Sequence, residues 1–115
     1  MRHKGRSETD LVKFCLMILS MRHVFAWRNN TGGFKKNGHF YRFGLVGSSD
    51  ILGVLPDGRF LAVECKRPGN RPTPAQDDFL KQVREKGGLA LVVYEVQELN
   101  VIIAEYLRNG QKTVG

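Results

Sequence analysis

The chain has 115 residues, of which 42% are hydrophobic and 25% charged; these proportions exclude a disordered chain and suit one domain, 1–115, with a modest core. The net charge is +7, and residues 1–45 carry nine Lys or Arg against two acidic residues, whereas residues 46–115 carry nine against nine. A basic surface of this kind favours a polyanionic partner such as DNA, but it also keeps a protein soluble, and charge alone leaves both explanations open.

The first predicted element is a helix over 8–22. Ser7 is a suitable N-cap, and apolar residues follow at helical spacing on a stripe that also includes Glu8. A basic start before an apolar run is also typical of a signal peptide. Here acidic residues precede the run, Lys13 interrupts it, and it is far shorter than the roughly 20 residues that cross a bilayer. We therefore expect a helix of the fold and no membrane partner.

The next segments indicate β-structure. The sequence HVFAWR predicts a strand over 23–28, with Trp27 in the core rather than exposed as a stacking platform. Residues 29–47 are rich in Gly, Asn, Lys and aromatics, which indicates a loop or an irregular hairpin around HFYRF. The sequence DILGVLPDGRFLAVECKR predicts a regular hairpin whose turn places Gly58 in the left-handed conformation.

The last part of the chain predicts a helix, a strand and a second helix. Thr73 and Gln76 form a capping box for a helix that ends near Lys86, before two glycines. LALVVY then predicts a central strand, and 95–108 a final helix, followed by a frayed tail over 109–115. A helix between two neighbouring strands makes them parallel, so we expect an α/β fold with a mixed sheet and flanking helices.

Three charged residues lie at or inside the hairpin strands, where an unpaired charge is costly to bury. If the turn is centred on residue 57, Asp50 lies opposite Glu64 and both project from one face of the sheet. Lys66 lies two residues beyond Glu64 and therefore shares that face, while Cys65 points the other way. A slip of one residue would separate the three groups.

Two carboxylates held together repel each other unless a cation neutralises them. A hard divalent cation does this well, since Mg²⁺ is typically held by one or two carboxylates, with water and substrate phosphate as further ligands. Such an ion polarises a phosphoryl group, and Lys66 would orient or deprotonate a water or neutralise developing charge. The chemistry indicated is phosphodiester hydrolysis. The alternative is an ordinary surface pair of Glu64 and Lys66, with Asp50 at the strand entry.

The motifs GSSDILG, GRFLAVECKR and TPAQ, together with the early helix Glu8, resemble the PD-(D/E)xK nuclease superfamily, and more specifically its VRR-NUC family in the stand-alone form. The resemblance extends from Glu8 through the strand GGLALVV. Glu-x-Lys alone is a weak motif, but the four motifs in this order are fairly specific. The superfamily's proline before the first acid is replaced by Ser49 here. The literal Pro56-Asp57 lies in the turn, far from Glu64, and we do not expect Asp57 to be catalytic.

The resemblance implies a restriction-endonuclease-like core and a DNA endonuclease that depends on Mg²⁺ or Mn²⁺. It implies Asp50, Glu64 and the backbone carbonyl of Cys65 as metal ligands, Glu8 as a ligand through water, and Lys66 as the catalytic lysine. Gln76 would support the lysine or the attacking water. The resemblance also implies a homodimer that cuts four-way (Holliday) DNA junctions, in the cytoplasm of a bacterial cell or phage-infected host.

Two of these residues also have purely structural explanations, because Gln76 completes a capping box and Glu8 favours a helix N-terminus. Basic and aromatic residues predict contacts with a DNA backbone, although those of the Gly-rich loop also suit a solvated, flexible segment. The alternatives for the whole chain are a DNA-binding or adaptor module without catalysis, and a restriction-type nuclease acting on duplex DNA. The predicted DNA-binding residues are Arg28, Lys35, Lys36, Tyr41, Arg42, Arg67 and Arg71, with His39 among them in the loop.

Overall fold

The computed structural model describes residues 7–113 and confirms the predicted order of helices and strands. The first two helices begin at side-chain caps, since Ser7 Oγ accepts from Asp10 N–H at 3.0 Å and Thr73 forms the predicted capping box with Gln76. The elements are α1 (Glu8–Met21), β1 (Phe25–Arg28), β2 (Gly32–Lys36), β3 (His39–Phe43), β4 (Ile51–Val54), β5 (Phe60–Cys65), α2 (Pro74–Glu85), β6 (Leu89–Val93) and α3 (Val96–Thr113).

Four strands form the main sheet in the order β1-β4-β5-β6. β4 pairs antiparallel with both β1 and β5, whereas β5 and β6 are parallel and joined through α2. The predicted α/β fold with a mixed sheet and flanking helices is confirmed. In this arrangement the ends of β1, β5 and β6 and the start of β4 meet at one edge, which we call the functional edge.

The β4–β5 hairpin has the predicted register. Ile51 pairs with Val63 and Leu52 with Ala62. The turn is closed by Gly58 N–H, which donates to the carbonyl of residue 55 at 2.8 Å, and Gly58 has a φ of 91°. The left-handed conformation explains the glycine at this position. Continuing the register by one step places residues 50 and 64 opposite each other at the functional edge.

The helices cover the two faces of the sheet unequally. α1 and α3 pack on one face around the buried side chains of Leu61, Val63 and Cys65. On the other face, the 12-residue α2 packs over β5 and β6 through Leu80 and Val83. In the described part of the chain, this short helix leaves the β1–β4 half of that face without a covering helix.

The prediction that Trp27 lies in the core is wrong. Trp27 projects on the α2 side of β1 and is 41% exposed, beside Phe25, which is 71% exposed. Their ring centroids are 5.4 Å apart. The strand was predicted correctly, but its apolar residues lie beyond the reach of α2.

The segment predicted as a loop or irregular hairpin is a regular two-stranded hairpin, β2–β3, which we call the arm (residues 32–43). Phe34 pairs with Tyr41 and Lys36 with His39. The turn is Asn37-Gly38, with φ of 51° and 79°. Positive φ at both central residues is the type I′ turn of two-residue hairpins, which Asn-Gly favours. This dipeptide was therefore the signal for a regular hairpin.

The final helix is longer than predicted. α3 continues through Thr113, so residues 109–113 are helical rather than frayed, while residues 114–115 lie outside the described part of the chain. Gly110 retains a helical conformation and does not adopt the left-handed φ that ends many helices. Among the described residues, no helix combines the length and apolar character needed to cross a membrane.

Candidate active site

The functional edge brings together the residues that the hairpin register predicted. Asp50 immediately precedes β4, Glu64 is the penultimate residue of β5, and Lys66 follows that strand. The decoy Asp57 lies at the opposite edge, where its carboxylate accepts a hydrogen bond from the Tyr106 hydroxyl. The separation of the two edges explains why Pro56-Asp57 plays no part in this cluster.

Asp50 is held in place by the backbone. Its Oδ2 accepts the N–H of Cys65 at 2.8 Å, and its carbonyl accepts the N–H of Asn29 at 2.8 Å. The bond from Cys65 N–H to the Asp50 carboxylate lies just beyond the last backbone pair of β4 and β5 and continues their contact. The bond from Asn29 N–H ties the end of β1 to the same point. The Asp50 carboxylate is therefore positioned by two strands.

The Glu64 side chain lies almost entirely out of water, at 2% exposure. Burial, followed by the neighbouring charge of Asp50, raises the pKa of Glu64 to about 8, while the Lys66 ammonium acts in the opposite direction. The two carboxyl groups are also close enough for a hydrogen bond between them, which favours the protonated form. Glu64 Oε1 is buried and has no hydrogen-bond partner among residues 7–113. Such an atom is costly unless a ligand satisfies it.

Lys66 lies beside the Glu64 carboxylate. Its side chain is largely buried, and its Nζ lies 3.8 Å from Glu64 Oε2. This distance is too long for a hydrogen bond, although it is close enough for charge attraction. The ammonium therefore remains close enough to the carboxylates to act on a group bound between them.

Glu8 approaches the same site from α1. Its Oε2 accepts from Arg67 N–H at 3.3 Å and from Asn70 Nδ2 at 3.4 Å, and its charge also contributes to the raised pKa of Glu64. Glu8 thus ties α1 to the segment that follows Lys66. Its position is consistent with the predicted contact through water.

The donor set fits a hard divalent cation. In a strand, the N–H and C=O of one residue point to the same side. Since the N–H of Cys65 donates to Asp50, the Cys65 carbonyl also points to the Asp50 side. This carbonyl, an Asp50 oxygen and the unpartnered Glu64 Oε1 are all oxygen donors. No group of three or more His, Cys, Asp or Glu side chains arranged to hold a metal occurs in residues 7–113, but Mg²⁺ requires only one or two carboxylates.

Gln76 has its predicted place at the start of α2. Its Oε1 accepts from the N–H of Thr73 at 2.8 Å, and its own N–H donates to Thr73 Oγ1. The oxygen of Gln76 is thus committed to the capping box. Any role at the carboxylate cluster must use the side-chain nitrogen.

The predicted DNA-binding residues are exposed and are of two kinds. Arg28, Arg67 and Arg71 lie on segments that reach or leave the functional edge. The others lie on the arm, where Lys35, Lys36, Tyr41 and Arg42 are all exposed. Arg42 also lies over the Phe40 ring, with 5.4 Å from its Cζ to the ring centroid.

Sequence reasoning did not identify the residues that support the site. Asn29 Nδ2 donates to Ser48 Oγ at 2.7 Å and to the Ser49 carbonyl at 2.9 Å, which fixes the turn before Asp50. Tyr94 donates its hydroxyl to the carbonyl of Asn70 at 3.1 Å. The Asn-Asn pair at residues 29–30, just beyond a predicted strand, was a sequence signal for the contacts of Asn29. No sequence signal indicated the contact of Tyr94.

This geometry defines the class of the protein: a mixed sheet whose hairpin presents two acids and a lysine at one edge is the core of a PD-(D/E)xK-like nuclease. The model of the VRR-NUC domain matches residues 19–97. The chain belongs to the VRR-NUC family of nuclease domains. Families of this type act on DNA and generally use divalent metals.

Two relatives illustrate the match. The "Putative nuclease p44" of Acyrthosiphon pisum secondary endosymbiont phage 1 is 36% identical over 77 residues, which are 60% of this chain and 76% of that protein. A solved structure of a VRR-NUC domain has a TM-score of 0.62 and 21% identity, covering 86% of this chain and 96% of that one. The second likeness supports the fold.

Proposed function

We propose that this chain is a Mg²⁺- or Mn²⁺-dependent DNA endonuclease that cuts branched DNA, such as four-way junctions, as a homodimer. The observation that carries the proposal is the buried Glu64 carboxylate. Its Oε1 has no hydrogen-bond partner in the described part of the chain, although Asp50 and Lys66 lie beside this carboxylate. A divalent cation at these oxygens satisfies Oε1 and relieves the repulsion between the two acids.

The positions of these residues support the following roles. Asp50, Glu64 and the Cys65 carbonyl hold the cation, and Glu8 contributes through a water. When bound, this ion polarises the scissile phosphodiester and lowers the pKa of a water. Lys66 offsets the negative charge that develops on the phosphate oxygens, or orients the attacking water.

DNA is held by the exposed basic groups around the edge. Arg67 and Arg71 flank the cluster, and Arg28 follows the same edge at the end of β1. The arm adds Lys35 and Arg42, and no acidic residue occurs between residues 11 and 49. A uniformly basic segment supports contacts with phosphates that set register without reading sequence.

Branched DNA and the homodimer form one proposal. Residues 7–113 supply one cluster of acids with a lysine. Two equivalent cuts across a symmetric junction require two such clusters related by a two-fold axis. The phage origin of one relative supports action in the cytoplasm of a bacterial or phage-infected cell.

The test is cleavage of a synthetic four-way junction, a flap and a linear duplex, each with Mg²⁺, Mn²⁺ or chelator. Lys66→Met retains the buried aliphatic stem and removes the charge, so we expect at least a 100-fold loss of cleavage with DNA binding retained. Lys86→Met, at the far end of α2, is the matched control and should cut normally. Undiminished cleavage by Lys66→Met, or cleavage by the unaltered protein in chelator, contradicts the proposal.

A further inference from the structure

Within residues 7–113, two apolar surfaces are without a covering layer. The first is the β1–β4 half of the sheet on the α2 side, which we call the open face. Cross-strand register aligns Phe25 with Val54 and Phe60, and Trp27 with Leu52. Directly opposed residues project from the same face of a sheet, so these five side chains form one patch. The three rings are 71%, 41% and 39% exposed for Phe25, Trp27 and Phe60.

The second surface is one side of the arm. Phe34 pairs with Tyr41, their rings stack at a centroid distance of 5.4 Å, and Phe43 lies two residues further on the same side. These rings are 51%, 47% and 48% exposed. A two-stranded hairpin alone in water is marginally stable, so a regular arm with exposed rings needs a surface to pack against.

The two sides of the arm differ in their balance of aromatic and basic groups, although Lys36 lies on the Phe34 side and Phe40 on the Arg42 side. Lys35 and Arg42 project from the side opposite to Phe34 and Tyr41, because successive residues of a strand point to opposite faces. One side of the arm can therefore be covered by protein while the other side still presents its charges to phosphates.

We propose that the aromatic side of the arm packs on the open face of a second copy of this chain, and that the exchange is reciprocal. This inference takes the homodimer from the proposed function and names the two surfaces that form its interface. The two surfaces match in character, and a two-fold arrangement covers both on each protomer without leaving an open end.

The area is sufficient for a stable dimer. An aromatic side chain has about 200 Å² to bury, and six rings that are on average half exposed offer about 600 Å² per protomer. Two protomers then bury about 1,200 Å² in rings alone, above the roughly 1,000 Å² expected of a specific interface. The radius of gyration, 15.6 Å, also exceeds the roughly 13 Å of a compact chain of this length, as expected for a projecting arm.

Position favours the same exchange. The arm is inserted between β1 and β4, the two strands that carry the open face. Its base is tight, since a Cβ on Gly44 would lie 2.7 Å from the Asn30 carbonyl oxygen and one on Gly47 would lie 2.5 Å from the Ala75 carbonyl oxygen. The arm therefore leaves the domain in a defined direction from the rim of the open face.

The test measures mass without DNA or metal, by light scattering at 5 and 50 µM. The unaltered chain should have twice its 13.0 kDa mass. An arm variant, Phe34→Ser with Tyr41→Ser, and a face variant, Phe25→Ser with Trp27→Ser, should each raise the dimer dissociation constant about 100-fold. Val101→Ser removes an equally exposed apolar side chain from α3 and should remain dimeric. Circular dichroism checks that each variant is folded.

Mixing the two variants makes the test specific. A heterodimer of arm variant and face variant retains one intact arm–face contact, so dimer should reappear in the mixture. If only the face variant dissociates, the two open faces pair with each other. If only the arm variant dissociates, the two arms pair with each other. Either result overturns the proposed exchange. An arm variant that stays dimeric but loses junction binding assigns the rings to DNA bases and also overturns it. A dimer without nuclease activity refutes the proposed cleavage and leaves this inference standing. An active monomer refutes this inference and the homodimer of the proposed function, and leaves its metal-dependent cleavage standing.

Discussion

Replacing Glu64 by Gln should stabilise the metal-free protein in alkaline solution. The pKa of Glu64 is raised from its ordinary 4.5 to about 8, chiefly by burial and then by Asp50. Below about pH 4.5 this residue is protonated in both the folded and the unfolded chain. Between 4.5 and about 8 the folded chain retains a proton that the unfolded chain releases. The free energy of unfolding therefore falls as pH rises through this window and is lowest above about 8.

The size of the effect follows from the shift. At about 1.4 kcal/mol per pKa unit, a rise from 4.5 to about 8 sets a ceiling of about 5 kcal/mol. Asp50 is only half-buried and can turn part of its charge toward water, so we expect about 2 kcal/mol at pH 8.5. Glutamine has nearly the same shape as glutamic acid and no charge, so the variant should avoid this cost.

The assay is urea unfolding with chelator at pH 5 and pH 8.5, for the unaltered chain, Glu64→Gln and the exposed control Glu85→Gln. The unaltered chain and the control should lose stability between the two pH values by the same amount. Glu64→Gln should lose about 2 kcal/mol less than either. If all three lose equally, Glu64 is not the group that holds the proton, and the argument from its burial fails.

Three further predictions concern the metal, the cap and the arm. Mg²⁺ at ten times its dissociation constant should add about 1.4 kcal/mol to the stability of the unaltered chain at pH 8, seen as a rise in melting temperature, and should add little to the glutamine variant. Gln76→Glu retains an oxygen for the cap and loses the amide donor, so cleavage should fall about tenfold at unchanged stability. Thr73→Ala should lower the free energy of unfolding by about 1 kcal/mol and leave cleavage normal. If Gln76→Glu instead lowers stability and leaves cleavage normal, Gln76 acts only in capping. Lys35→Ala with Arg42→Ala should reduce the salt dependence of DNA binding by about two phosphate contacts, while Lys86→Ala leaves the slope unchanged.

The central part of the site could be predicted because it depends on one local turn. Gly58 fixes the β4–β5 register, and the register alone decides that Asp50 and Glu64 meet. Periodicity then assigns Lys66 to the same face. No contact between distant segments is needed for this result, so a single sequence contains enough information.

Other features depend on packing between segments that are distant in the sequence. Trp27 lies on a correctly predicted strand, but whether it is buried depends on how far α2 reaches across the sheet, which no local pattern gives. The contact of Tyr94 with the Asn70 carbonyl joins two loops that are close only in the folded chain. The regular arm is a different case, since Asn37-Gly38 is a local sequence signal for a two-residue hairpin turn.

The bond between Asn29 N–H and the Asp50 carbonyl, 2.8 Å, closes the base of everything inserted between β1 and β4. Doubling the length of such an insertion adds only about 0.6 kcal/mol of closure entropy. The acids are held by β4 and β5, which the insertion does not interrupt. The inserted segment can therefore change in length or sequence without displacing the Asp50 and Glu64 carboxyl groups from each other.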